Sequence, residues 1–167
     1  MPRSLIIGYG NVDRSDDGVA CTVVNTLRRQ QGLAALGDEE TGLDNLGAEV
    51  DSVFLSQLTI ELMETLRDYD RVIFVDAHIG AEIVDLCCGP VKPEGAPSIL
   101  MHHLSPGSLL ALVKAIYGKA PAGQLVSVRG YDFDFHRGLS PATEALAQRA
   151  VDWIVRSLAA CSEEAAG

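Results

Sequence analysis

Apolar residues run along this chain in two rhythms. Short apolar or β-branched runs at residues 4–8, 48–55, 71–75, 83–88 and 124–129 read as strands. Segments with apolar residues three and four apart read as helices. These are residues 16–29 (Val19, Val23, Val24, Leu27), 59–67 (Leu62, Met63, Leu66), 105–117 (Leu109, Leu110, Val113, Ile116) and 140–158 (Leu146, Ala150, Trp153, Ile154, Leu158). The punctuation fits. Gly8 closes the first strand, Gly80 and Gly89-Pro90 bound the fourth, and Gly118 closes the third helix. Asp16 and Asp17 suit a helix N-terminus, Thr59 is placed to cap the second helix, and Ser140-Pro141 supply a cap and first residue for the last. Residues 32–47, rich in Gly, Asp and Glu, read as a loop. Strands alternating with helices predict a mostly parallel twisted sheet covered on both faces, a three-layer α/β/α sandwich. It forms one domain over residues 1–161, with residues 162–167 as a disordered tail.

Composition narrows the function. At 167 residues the chain suits one domain, and 47% hydrophobic content supplies a full core. The net charge is −10 with no Lys/Arg cluster, which excludes a nucleic-acid footprint and docking on an anionic membrane. The opening apolar run is too short for a signal peptide, and nothing approaches the roughly 18 apolar residues of a membrane span. A cytoplasmic protein is expected. Cys21, Cys87, Cys88 and Cys161 make no zinc pattern and read as reduced packing residues, with Cys87 and Cys88 on opposite faces of a strand.

Ligands of open parallel sheets sit beyond the C-terminal strand ends. Three short segments converge there: Gly8-Tyr9-Gly10-Asn11 running into Asp16-Asp17-Gly18, then Val75-Asp76-Ala77, then His102-His103-Leu104 before a helix. A dinucleotide loop is disfavoured, because the third glycine of G-x-G-x-x-G falls at Asp13, and no Gly-Lys-Ser/Thr follows for a Walker loop. Asp16 reads as a cap, with Asp17 projecting toward the site. Asp76 ends a Val-Ile-Phe-Val strand, where an unpaired charge is costly. His78 shares its face if the strand continues, and His136, beside Asp132 and Asp134, reads as surface. No serine or cysteine sits in a nucleophile elbow or papain-like context. Two carboxylates and an imidazole instead hold a divalent metal, or position water around one that a ligand brings.

In this order the segments resemble the maturation endopeptidases of [NiFe] hydrogenases. The opening motif matches residues 6–18, the central D-A matches Asp76-Ala77, the late histidine matches His102-His103 before Leu109-Leu110, and the closing Gly-Leu-Ser/Thr-Pro matches Gly138-Leu139-Ser140-Pro141. The resemblance spans nearly the whole chain. It implies a peptidase that removes a C-terminal peptide from a nickel-loaded large-subunit precursor. Asp17, Asp76 and His102 would be the metal-contacting trio, and Asp16, His103, Gly10 and Asn11 accessory candidates. The spacing to the Leu-Leu pair favours His102 over His103. Nickel would come with the precursor, so no resident metal is expected, and a monomer is expected. One departure stands out: residues 51–59 lack the glycine-rich D-G-G-T-x-G-like stretch tied to substrate recognition. Asp17 also stands where some relatives carry the longer Glu. Two other readings remain: a non-catalytic relative that binds the precursor, and a metallohydrolase with a resident metal.

Overall fold

The computed structural model describes residues 2–80, 84–94 and 104–166. Five strands form one sheet in the order β2-β1-β3-β5-β4. They are β1 (Ser4–Tyr9), β2 (Val50–Leu55), β3 (Arg71–His78), β4 (Leu86–Val91) and β5 (Ala122–Arg129). β2, β1, β3 and β5 run parallel, and β4 closes one side antiparallel to β5. β1 and β3 carry unbroken apolar runs at residues 5–7 and 72–75 because both faces are covered. Ile6, Ile73, Val75, Val126 and Val128 pack against α1 (Val19–Gln30) and α4 (Pro141–Ala166). Leu5, Ile7, Val72 and Phe74 point the other way, onto α2 (Leu62–Leu66) and α3 (Pro106–Tyr117). This is the three-layer α/β/α sandwich the alternation predicts.

α3 begins and ends where local chemistry dictates. The Ser105 hydroxyl accepts from the Ser108 N–H at 3.1 Å, Pro106 fills the first turn, and Gly118 ends the helix at φ +81°. Other boundaries differ from expectation. The first helix opens with a 3₁₀ turn, Ser15–Gly18, and Asp16 does not cap it. Thr59 does not cap α2 by its side chain, since α2 starts only at Leu62 after turns through residues 59–61. β4 is displaced toward the C-terminus and carries Gly89 and Pro90 inside it. Proline is tolerated on an edge strand, so it failed to act as a stop. Ile116 was expected inward and is 58% exposed, while Tyr117 in the same turn packs against the core. Residues 162–166, expected as a disordered tail, continue α4. Among the described residues no helix is long and apolar enough to cross a membrane.

Candidate active site

The C-terminal ends of the parallel strands build one edge around two carboxylates. β1 delivers the first through a tight turn. Gly10, at φ +150°, donates its N–H to the Leu55 carbonyl at 3.1 Å. The Asn11 N–H then donates to Asp17 Oδ2 at 2.9 Å, while Asn11 Oδ1 accepts from the Asp13 N–H at 2.9 Å. Asn11 thus shapes the turn with its side chain and fixes Asp17 with its backbone. Gly10 is required by space as well as by φ: a Cβ there would stand 2.1 Å from the Asp17 carbonyl oxygen. Gly10→Ala is therefore expected to displace Asp17 and to lower stability by roughly 1–3 kcal/mol or more. Thermal unfolding would register the loss.

β3 delivers the second carboxylate. The strand continues to His78, so Phe74, Asp76 and His78 alternate onto the α3 face. Tyr9, two steps beyond Ile7 on β1, lies on that face too, and its hydroxyl donates to Asp76 Oδ2 at 2.7 Å. Asp76 Oδ1 is buried without a partner among the described residues. Burial pushes the Asp76 carboxyl above its ordinary range. The Ser127 and Tyr9 hydroxyls and His78 pull it back, and the charge of Asp17 adds to the upward push. The two carboxylates therefore share one electrostatic neighbourhood. Burial, reinforced by Asp76, also raises the Tyr9 phenol and keeps it a donor. His78 is half-buried, with Nδ1 2.9 Å from Ser127 Oγ and Nε2 3.1 Å from the Val84 carbonyl.

Asp16 has a different task from Asp17. It is fully buried, and its Oδ2 accepts from the Tyr131 and Asp132 N–H groups at 2.8 and 2.9 Å and from the Ser140 hydroxyl at 2.8 Å. Its Oδ1 accepts from the Ser140 N–H at 2.8 Å. Burial alone would raise its carboxyl, but these donors prevail and hold it below the ordinary value. Asp16 is a tie between the first turn and the loop after β5. Ser15 joins it in the left-handed region at φ +51°, donating its N–H to the His136 carbonyl and its hydroxyl to the Asp134 carbonyl, both at 2.8 Å. His136, exposed as expected, is tied in as well: Nε2 lies 2.8 Å from Asp132 Oδ2 and 2.9 Å from Ser15 Oγ. Both partners meet the same ring nitrogen, so no Ser–His–Asp relay exists here.

His102 and His103 lie outside the described residues. Among the described residues no three His, Cys, Asp or Glu side chains gather as a metal site. Asp17 and Asp76 stand at the strand-end edge, where the charge of Asp17 acts on the Asp76 carboxyl, and Gly10 and Asn11 support Asp17. Sequence reasoning missed Tyr9 and Ser127. The parity of Tyr9 with Ile7 was a signal for the first. Ser127 depends on the β3–β5 register, which pairs it with Asp76.

No protein-family model matches the sequence, and no curated protein matches it. Solved structures do. The hydrogenase maturating endopeptidase HybD of Escherichia coli superposes with a TM-score of 0.69 at 20% identity, over 95% of this chain and 93% of that one. The hydrogenase 2 maturation peptidase of Thaumarchaeota archaeon SCGC_AB-539-E09 gives 0.62 at 23% identity, over 93% and 97%. The [NiFe] hydrogenase maturation protease HybD of Thermococcus kodakarensis gives 0.60 at 18% identity, over 93% and 98%. This chain has the hydrogenase maturation endopeptidase fold.

On this maturation endopeptidase fold, exposed apolar side chains follow the C-terminal ends of β3 and β5. Ile79, directly after β3, is 74% exposed, and Tyr131 and Phe135, in the loop after β5, are 48% and 84% exposed.

Proposed function

We propose that this protein is a cytoplasmic, monomeric maturation endopeptidase that removes a C-terminal peptide from the nickel-loaded large-subunit precursor of a [NiFe] hydrogenase. The observation that carries the reading is the carboxylate pair at the strand ends of this fold. Each carboxylate is held by one oxygen, Asp17 Oδ2 by Asn11 and Asp76 Oδ2 by Tyr9. Each has its other oxygen without a hydrogen bond among the described residues, and that of Asp76 is buried. A carboxylate fixed in this way presents one lone-pair face in a set direction. It can contact the metal of the substrate or take a proton from the attacking water and return it to the leaving amine. His102 is assigned to complete the contact with the substrate nickel. The enzyme then needs no metal of its own, and cleavage tests whether the precursor has received its nickel.

Intact mass of the precursor decides the question. Nickel-loaded precursor is expected to lose a discrete C-terminal peptide, nickel-free precursor to stay whole, and Asp17→Asn to slow the reaction by about 10²–10⁴. Binding without any mass change would mean a non-catalytic relative. Cleavage of nickel-free precursor by protein purified with stoichiometric metal would mean a resident-metal hydrolase.

A further inference from the structure

β4 has β5 on its inner side and, among the described residues, no strand on its outer side. The ladder fixes which backbone groups face out. Arg129 donates its N–H to the Asp85 carbonyl at 2.9 Å, one step before the Leu86–Val128 pair. Asp85 and Arg129 are thus a hydrogen-bonded pair, and antiparallel alternation turns Cys87, Gly89 and Val91 toward β5. The N–H and C=O of Leu86 and Cys88 then face outward, followed by the C=O of Pro90. Proline has no N–H to offer, so the open row ends there.

The side chains of Leu86 and Cys88 lie on the α4 side, packed at the margin of its core. Between them and α4 runs a groove of about 400 Å³, lined by Leu86, Cys88, Arg149, Asp152, Trp153 and Arg156. Arg149 and Arg156 are exposed, and neither forms an ion pair among the described residues. Arg149 on α4 and Cys88 on β4 line the groove from opposite sides. Two uncommitted cations flanking a tryptophan are conspicuous in a chain of net charge −10. They stand about 10 Å apart along the helix, a distance that carboxylates on alternate positions of an extended strand span with the reach of arginine.

We infer that the outer edge of β4 and the Arg149–Trp153–Arg156 stripe of α4 form a docking site for an extended acidic peptide strand of a partner protein, added to the sheet as a sixth strand. Backbone pairing to Leu86 and Cys88 supplies affinity, and the two arginines select acids on the face turned to α4. The site lies on the opposite face of the sheet from Asp76 and does not depend on the carboxylate chemistry.

Trp153 is the only tryptophan of the chain and reports on the groove directly. The probe is acetyl-Val-Glu-Val-Glu-Val-Glu-Val-amide, titrated against the full chain with tryptophan emission and, after labelling, anisotropy. Saturable binding is expected, weakening as salt rises, and at least tenfold weaker in an Arg149→Ala/Arg156→Ala double variant of unchanged circular dichroism. In an antiparallel pair, opposed residues share a face, so the glutamate N–H groups point at β4. N-methylation at the glutamates should abolish binding, and N-methylation at the valines should leave it. Equal binding of the lysine counterpart, or indifference to both methylation patterns, would overturn the proposal. So would self-association in sedimentation velocity that the double variant abolishes, since the edge would then serve a second copy.

Discussion

Asp76→Asn is expected to end processing of the nickel-loaded precursor while making the protein harder to unfold at neutral pH. The second half follows from burial. The Asp76 carboxyl is raised by desolvation, and the Ser127 and Tyr9 hydroxyls compensate only in part. The folded state thus holds the proton more tightly than the unfolded chain does, and stability falls as pH rises through the interval between the two values. Below the ordinary value of 3.8 this cost is absent, and above the raised folded value it is complete. Asparagine never carries the charge, yet its carbonyl can still accept from the Tyr9 hydroxyl. Thermal unfolding of both proteins across pH should show midpoints that agree in acid and separate toward neutrality, with the variant higher. Activity should fall by about 10²–10⁴, as for loss of a positioned acid–base group. A variant less stable than the parent at neutral pH would show that the carboxylate serves the fold rather than the chemistry.

Asp16→Ala should have the opposite character. Three N–H groups, from Tyr131, Asp132 and Ser140, and the Ser140 hydroxyl lose their acceptor together. Each buried orphan donor costs about 1–3 kcal/mol, and partial rehydration leaves a loss of about 3–5 kcal/mol. For a domain of this size that lowers the melting temperature by roughly 10 °C. The folded carboxyl is depressed, so its stabilisation is present above the unfolded value and disappears as pH falls through the folded one. The gap between parent and variant should therefore narrow in strong acid. Asp17 follows Asp16 directly, so processing should weaken as well. A melting temperature within a degree of the parent would mean that the loop after β5 is held by its other contacts.

The sheet was legible because its inner strands are covered on both faces, so β1 and β3 appear as unbroken apolar runs. α3 was legible because Ser105 and Gly118 mark its ends by local chemistry. What stayed hidden depends on partners far along the chain. β4 was misplaced because Gly89-Pro90 reads as a stop, and only its edge position makes proline acceptable. Asp16 looked like a helix cap because its donors, at Tyr131, Asp132 and Ser140, are more than a hundred residues away. Asp76 was legible as a charge ending an apolar strand. Its partner Tyr9 required the pairing of β1 with β3 to be known.

The loop tie also governs when the molecule can first work. The turn that orients Asp17 is synthesised well before the groups that grip it at Asp16, which lie 115, 116 and 124 positions later. A growing chain emerging from the ribosome can pair β1 with β2 and β3 well before those groups exist. The turn gains its full anchor only when the chain through Ser140 has emerged. A truncated or half-made chain therefore carries both aspartates in sequence without holding them in register. On the proposed function, competence therefore arrives late, once the anchoring groups have been made.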